Sequence, residues 1–387
     1  MMAFVLMAYT MTVAAKSDAL KAITKSKVYA EASQLLQTNL AQLADNAEKA
    51  EAYNHLVDLA MASVQEKEKA GDMTGLCDDL CLAIENTFEC DKYDRMPDAK
   101  GVVKPKFADK NAQRLWDKRK YLLNVGDDFR QKEDAKNAMK YWTPYLETFE
   151  SPIFRNNEMI SKVITLEQET IDQVALLACY LTYQLKEKNN VIKYAEIAKK
   201  NDKYKEDAFK LQIGAMLMDL KTKEDSLNCL NQLKQMYEAD PENDVVFENL
   251  NNMYDGMKDK AAQNAFIDGH LAKYPNSYIA MAAKGFVAIG ENNADEAAKW
   301  LRKATEVKAD NAVIWTYLGI CLNVIAANSE DVAAGQKVYD EAIAAFDKAK
   351  ELDPNKTTNW GYNRYQAYYG RYGENDPKTK AAEADIR

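Results

Sequence analysis

The chain is acidic and its composition favours helices. It has 387 residues, a formal net charge of −9 and 29% charged residues. Because affinity for phosphates is built from Lys and Arg, this balance argues against nucleic-acid binding through a broad basic face. Proline (8) and glycine (14) are few, and no alternation of Val, Ile and Thr predicts strands. The length suffices for two ordinary domains or for one helical solenoid.

Residues 1–15 resemble the apolar core of a secretory signal peptide. They carry no charged side chain and end in the small residues Ala14 and Ala15, just before Lys16. A bilayer span needs roughly 20 apolar residues, so this stretch is too short to cross a membrane. The basic start of a signal peptide is absent, and a buried N-terminal segment of a cytoplasmic protein is the alternative. We predict export, to the periplasm, with cleavage after Ala15 and no integral membrane span.

Residues 16–88 are predicted to form divergent N-terminal helical repeats. Tyr53, Leu56, Val57 and Ala60 share one helical face, and Gly71 ends that pattern. A further helix is predicted over residues 76–88.

Residues 89–109 are predicted to be a long irregular loop. Pro97, Gly101 and Pro105 block a continuous helix there. Two roles remain open, an insertion between repeats or a flap that covers a groove. The nearby Cys77, Cys81 and Cys90 are read as buried free thiols, with one local disulfide as the alternative.

Residues 110–209 are predicted to form divergent helical hairpins. Two helical faces are spaced like those of a repeat, and their residues are Leu122, Val125, Gly126 and Phe129, then Ala138, Trp142 and Tyr145. Pro144 lies inside the second of these helices, where its ring is expected to cause a kink.

Residues 210–387 are predicted to form a regular array, because the same features recur at a fixed interval. Pro241 and Pro275 are 34 residues apart. Small residues occupy positions where two helices must approach closely, among them Gly285 and Gly319, and large residues such as Leu301 and Phe346 fill the remaining space. One unit is longer than the others, and its additional residues are expected in the turn between its helices, at about 327–336.

These offsets resemble the tetratricopeptide repeat (TPR), a helix-turn-helix unit with a closing proline. The resemblance implies an all-α, right-handed solenoid of about six to eight hairpins. The last helix, which carries Trp360 and several tyrosines, is expected to cap the array.

No catalytic or metal-binding motif is recognised in the sequence. It lacks a phosphate-binding loop, a His-Glu-x-x-His pair and a Gly-x-Ser-x-Gly turn. His55 and His270 are the only histidines. His55 flanks Leu56 on a predicted helix and His270 replaces a small packing residue, so both are interpreted as tolerated boundary positions rather than as catalytic or metal-binding residues. We therefore expect no enzyme activity, no cofactor and no metal site; a hydrolase whose site no motif reveals is a remote alternative.

In TPR proteins the first helix of each hairpin lines a concave groove, and the resemblance implies partner-binding residues at the matching positions. These are Glu248, Asn252, Phe286, Ile289, Ile320, Asn323, Tyr365 and Tyr368. This wall is acidic at its start and apolar and aromatic towards its end. The predicted partner is a protein or peptide with an apolar segment, within a cell-envelope complex. The alternative is a glycan or nutrient bound by the C-terminal aromatic residues.

Overall fold

The structure is a computed structural model, and it describes residues 16–97, 101–103, 105–218 and 220–386. Across these ranges every regular element is helical, so the expected all-α fold class is confirmed. The chain divides into two compact units, Met1–Met218 and Asp219–Arg387. The predicted signal peptide lies outside the described residues.

The first unit consists of antiparallel helical hairpins and shorter linking helices. The pairs α3/α4, α6/α7 and α9/α10 pack side by side along their lengths. The helices of this unit are α1 (Asp18–Lys25), α2 (Tyr29–Asn39), α3 (Asn46–Ala70), α4 (Met73–Asp94), α5 (Ala108–Trp116), α6 (Lys120–Gln131), α7 (Ala135–Glu150), α8 (Pro152–Arg155), α9 (Glu158–Gln184), α10 (Lys188–Ala198) and α11 (Asp202–Leu217).

Local sequence signals explain how the α3/α4 hairpin forms. Asp45 caps α3 by accepting a hydrogen bond from the backbone N–H of Glu48. Gly71 ends the helix with φ +75°, a left-handed conformation that glycine adopts without steric cost. Asp72 then caps α4 through the N–H of Gly75. The turn is therefore only two residues long, and the helices run antiparallel.

The irregular segment is shorter than predicted, because α4 continues to Asp94. Cys90 is buried and its thiol donates to the carbonyl of Ala50 at 3.3 Å, which holds this part of α4 against α3. The Asp94 carboxylate also accepts hydrogen bonds from the backbone N–H groups of Lys106 and Phe107, at 2.7 and 2.9 Å. The segment thus begins at residue 95, and its end is tied back to α4.

The three cysteines near this segment are free thiols in the structure. Burial raises the pKa of Cys77 to about 12, and burial likewise raises the pKa of Cys81 to about 12. Thiols of this kind stay protonated at neutral pH and are poor nucleophiles. The structure therefore supports the interpretation of buried thiols rather than the local disulfide.

The predicted boundary between residues 209 and 210 falls inside α11, so the regular array begins later than expected. Tyr204 and Ala208 of α11 belong to the hydrophobic core of the first unit, and Leu211 packs against that core. The helix is consequently one piece, and the division lies after Met218. Pro144 lies inside α7, as predicted, and the kink expected of it stays a prediction.

The second unit is a series of hairpins with short, similar helices. Its helices are α12 (Lys223–Ala239), α13 (Asp244–Gly256), α14 (Lys260–Lys273), α15 (Tyr278–Gly290), α16 (Ala294–Val307), α17 (Ala312–Ala327), α18 (Val332–Leu352), α19 (Trp360–Tyr372) and α20 (Pro377–Ala382). Asn or Asp side chains cap most of them, for example Asn243 on α13 and Asn293 on α16.

A glycine against a large side chain defines the crossing point of the regular hairpins. A Cβ atom on Gly285 would lie 2.7 Å from Leu301, and one on Gly319 would lie 2.6 Å from the ring of Phe346. Gly126 of the first unit contacts Trp142 in the same way. The two partners are 16 residues apart in the Gly126 and Gly285 hairpins and 27 apart in the Gly319 hairpin. The helices can approach closely because the glycine has no side chain.

The additional residues of the Gly319 hairpin do not form a long turn, which corrects the expectation for residues 327–336. α17 has 16 residues and α18 has 21, whereas α15 and α16 have 13 and 14. Only residues 328–331 lie between the two helices. Gly335 is buried and brings α18 close to the carbonyl of Ala326, so the insertion extends both helices as a packed pair.

α19 is not the terminal cap, because more structure follows it. α20 and a 3-10 helix (Glu383–Asp385) pack on α19. The Asp385 carboxylate accepts from Lys350 at 2.8 Å and from Arg364 at 2.7 Å. Gly361 permits the contact, since a Cβ there would clash with the backbone of Asp385. These ion pairs fasten the end of the described chain to α18 and α19.

Candidate functional site

Three of the predicted partner-binding residues meet in one cleft of the second unit, which we call the acidic cleft. It has a volume of about 270 Å³ and lies between α13, α14 and α15. Its lining residues are Phe247, Glu248, Asn251, Asn252, Asp255, Lys260, Gln263, Ile279, Ala282, Ala283, Phe286, Val287 and Gly290.

The polar wall of the acidic cleft follows from the helical spacing of α13. Val246, Phe247 and Leu250 face inward and are buried. Glu248, Asn252 and Asp255 are exposed, and their spacing of four and three residues places them on one face. Glu248 and Asp255 are opposed by one cation among the lining residues, Lys260. The polar wall therefore carries a net negative charge.

The opposite wall of the acidic cleft is apolar. Phe286 is 37% exposed, and its ring packs edge-on against Tyr317 at 5.1 Å between ring centroids. Lys284, which precedes it on α15, forms an ion pair with Asp268 and lies over the ring of Trp300. Because the ion pair with Asp268 occupies Lys284, the wall beside Phe286 presents no free positive charge to the cleft.

A second cleft, which we call the tyrosine cleft, holds two more predicted residues. It has a volume of about 550 Å³ and lies between α17, α18 and α19. Its lining residues are Asn323, Val324, Ala327, Tyr339, Tyr362, Tyr365, Gln366, Tyr369 and Gly370. Asn323 is fixed by its side-chain amide, which donates to the carbonyl of Asn363 at 2.9 Å.

The remaining three predicted residues line neither cleft. Ile289, Ile320 and Tyr368 are partly buried and pack against the hydrophobic core of the second unit. The hydroxyl of Tyr368 accepts a hydrogen bond from Arg364 at 3.1 Å. The resemblance therefore identified positions on the first helices, but it could not separate side chains that line a cleft from those that close the core.

Sequence reasoning missed Tyr339 and Gln366 of the tyrosine cleft. Tyr339 lies on α18, the second helix of its hairpin, and the resemblance assigns the groove to first helices. The signal that could have found it is Gly370, because a Cβ there would clash with the Tyr339 ring. A glycine inside a helix often marks a close contact of this kind.

His270 is part of the packing around α12, α13 and α14, as interpreted from the sequence. It is buried, its Nδ1 is 2.7 Å from the hydroxyl of Tyr237, and its ring contacts Phe247 and Tyr274. Burial lowers the pKa of His270, and the nearby Lys273 lowers it further. The imidazole is therefore neutral at pH 7. His55 contacts the backbone carbonyl of Ser26 at 2.9 Å.

Two features of the described part of the chain bear on other functions. Within residues 16–97, 101–103, 105–218 and 220–386, no group of three or more His, Cys, Asp or Glu side chains is arranged to hold a metal ion. Among the same residues, none of the helices combines the length and the apolar character that crossing a bilayer requires.

The helices define an all-α protein of TPR-like helical hairpins with two side-chain-lined clefts. No protein-family model matches the sequence, and no curated protein matches it. Among solved structures, the chain is similar to a mutant of MamA at 19% identity, with 48% of this chain and 100% of that chain covered and a TM-score of 0.33. It is also similar to "Human IFIT1 dimer with m7Gppp-AAAA" at 14% identity, covering 85% of this chain and 68% of that chain with a TM-score of 0.34.

Proposed function

We propose that the protein is a non-catalytic scaffold that binds a segment of another protein in the acidic cleft. The observation that carries this proposal is the cleft itself, whose lining combines the exposed Phe286 with the polar Glu248 and Asn252. Exposed aromatic side chains beside fixed polar groups are characteristic of protein-binding surfaces.

The two walls specify the chemistry of the partner segment. An apolar side chain would pack on Phe286 and Ile279, and burial of such a group contributes about 1.5–3 kcal/mol. A Lys or Arg on the segment would face Glu248 and Asp255. Exposed ion pairs contribute only about 0–1 kcal/mol, so they add specificity and faster association more than affinity. The partner is thus an apolar segment with an adjacent basic residue.

Site-specific photo-crosslinking tests the proposal. A crosslinking amino acid at position 286 should capture a discrete partner in native cells. One at the more exposed position 332 should not, because Val332 is 72% exposed and lies outside both clefts. Against the purified partner, Phe286→Ala should weaken binding about tenfold or more, and Glu248→Gln should weaken it less. Unchanged binding by both variants, with Val332→Ala as control, would contradict the proposal.

We further propose that the protein is exported and that its partner lies in the cell envelope. The uncharged stretch of residues 1–15, which ends in Ala14 and Ala15, supports export. Mass spectrometry of the protein isolated from native cells should give an N-terminus at Lys16. Recovery of the chain with residues 1–15 intact would contradict export. That result would not bear on the proposal that the acidic cleft binds a partner.

A further inference from the structure

We propose that the tyrosine cleft is a binding site for a neutral oligosaccharide, distinct from the acidic cleft. Its volume of about 550 Å³ lies in the roughly 300–1,000 Å³ range of small-molecule sites. Four tyrosines and two amide side chains, Asn323 and Gln366, line it, and no lining residue is charged. In a chain with 29% charged residues, such a surface selects an uncharged polar ligand.

The hydroxyl groups of the cleft tyrosines are unengaged within the described chain. Of the other tyrosines of the described second unit, Tyr237, Tyr278, Tyr368 and Tyr372 have hydroxyls that bond to His270, Lys308, Arg364 and Lys378. The hydroxyls of Tyr254, Tyr274 and Tyr317 have no such bond among the described residues. Among the described residues the hydroxyls of the cleft tyrosines have no such partner; these tyrosines are Tyr339, Tyr362, Tyr365 and Tyr369. They remain free to donate to and accept from a ligand.

The tyrosines of α19 form a row along one face. Tyr362 and Tyr369 are each 49% exposed, and their spacing of seven residues separates them by about 10 Å along the helix. Tyr365 lies between them, with its ring centroid 6.2 Å from that of Tyr369. A sugar ring has an apolar C–H face and a hydroxyl edge, so such a row can stack consecutive sugars while the phenol groups bond their edges.

The wall opposite this row is held rigidly in place. The Tyr339 ring lies on the backbone of Gly370, where a Cβ atom would clash with it. Beside this contact, Arg371 forms an ion pair with Asp340 at 2.7 Å, which joins α19 to α18. Because these contacts fix the Tyr339 wall before a ligand arrives, that wall loses little conformational entropy on binding.

The lining chemistry favours a neutral sugar over the other ligands that tyrosines recognise. Hydroxyls and amides both donate and accept, which matches sugar hydroxyls. A proline-rich peptide offers mainly carbonyl acceptors, so it would leave the acceptors of the cleft without donors. An acidic sugar would meet no Lys or Arg in the lining, and the net charge of −9 would repel it.

Calorimetric titration of the purified chain tests the proposal. The probes are maltohexaose, cellohexaose, laminarihexaose and chitohexaose, with a hexamer of galacturonic acid and decaproline as competing classes. We expect saturable binding of a neutral hexasaccharide, weakened about tenfold by Tyr369→Ala or Tyr362→Ala and less by Tyr369→Phe, which keeps the ring. These side chains are half exposed, so the variants should fold, and circular dichroism checks that they do.

Controls separate this site from the acidic cleft and from nonspecific contact. Phe286→Ala removes the anchor of the acidic cleft, and Tyr180→Ala removes a tyrosine of similar exposure, 41%, in the first unit; both should bind the sugar like the original chain. Three results would overturn the proposal: no neutral hexasaccharide binds, the acidic hexamer or decaproline binds more tightly, or the Tyr362 and Tyr369 variants bind as before.

Discussion

The two units use the same hairpin contact but fill their interiors differently. In both units a glycine of one helix contacts a large side chain of its partner helix. Gly126 contacts Trp142 in the first unit, and Gly285 contacts Leu301 in the second. The first unit, however, has helices as long as α3 and α9, with 25 and 27 residues, and it buries Arg119 with no exposed surface. The repeat is thus easiest to recognise where helix lengths are similar, as in α13 to α16, which have 13 or 14 residues each.

The most deeply buried charged side chain of the described first unit is Arg119, which has no exposed surface. Its guanidinium carbon is 3.3 Å from the centroid of Trp116, it donates to the Trp116 carbonyl at 2.5 Å, and it forms an ion pair with Glu167. Burial lowers the pKa of Arg119, and the attraction of Glu167 opposes that shift. The first unit therefore depends on one carboxylate to balance a charge removed from water.

Glu167→Ala should have the largest effect and should be confined to the first unit. It leaves Arg119 buried without its carboxylate, which costs about 3–5 kcal/mol. Amide hydrogen exchange would report this as lost protection in α5, α6 and α9, with the second unit as internal reference. Glu169→Ala is the matched control, because Glu169 lies on the same helix and is 74% exposed. Equal protection in the two variants would show that the ion pair is dispensable.

Gly319→Ala tests the shared crossing and should have the next largest effect. The new methyl group would meet the buried ring of Phe346 at 2.6 Å, and overpacking of this kind costs about 1–3 kcal/mol. Gly269→Ala is the control, since nothing lies within 4 Å of a Cβ at that helical position and the change should stabilise by up to about 1 kcal/mol.

Urea unfolding should give a lower free energy of unfolding for Gly319→Ala and a higher one for Gly269→Ala. If the contact is the same in both units, Gly126→Ala should also destabilise, through Trp142. A gain of stability in Gly319→Ala would mean that the helices do not need a glycine at the crossing.

Acidification should weaken the second unit by a smaller amount, through His270. Its pKa is lowered in the folded chain, so the unfolded state takes up a proton first as the pH falls below about 6.5. The contribution of neutral His270 to stability is fully present above about pH 6.5. It decreases as the pH falls towards the lower pKa of His270 in the folded state. Thermal unfolding between pH 7 and pH 5 should show that loss, and His270→Gln should remove this part of the pH dependence. If His270→Gln kept the same pH dependence of thermal unfolding as the original chain, this prediction would be wrong.

Much of the second unit was predictable because its signals are local. The spacing from Gly285 to Leu301 and the 34-residue interval between prolines reflect contacts inside single hairpins. The tyrosine cleft was only half predictable, since Tyr339 reaches it from a second helix. The continuation of α4 to Asp94 was missed because its buried polar residues, Asp91 and Asp94, look like loop residues in the sequence.

The extended α17/α18 hairpin also has a practical consequence. Its tip has only four residues, 328–331, and Gly335 packs closely against Ala326 at the base of the tip. A peptide tag or a fluorescent domain inserted between Ser329 and Glu330 should leave both clefts intact. The protein could then be followed and recovered in its native cells without altering either end of the chain.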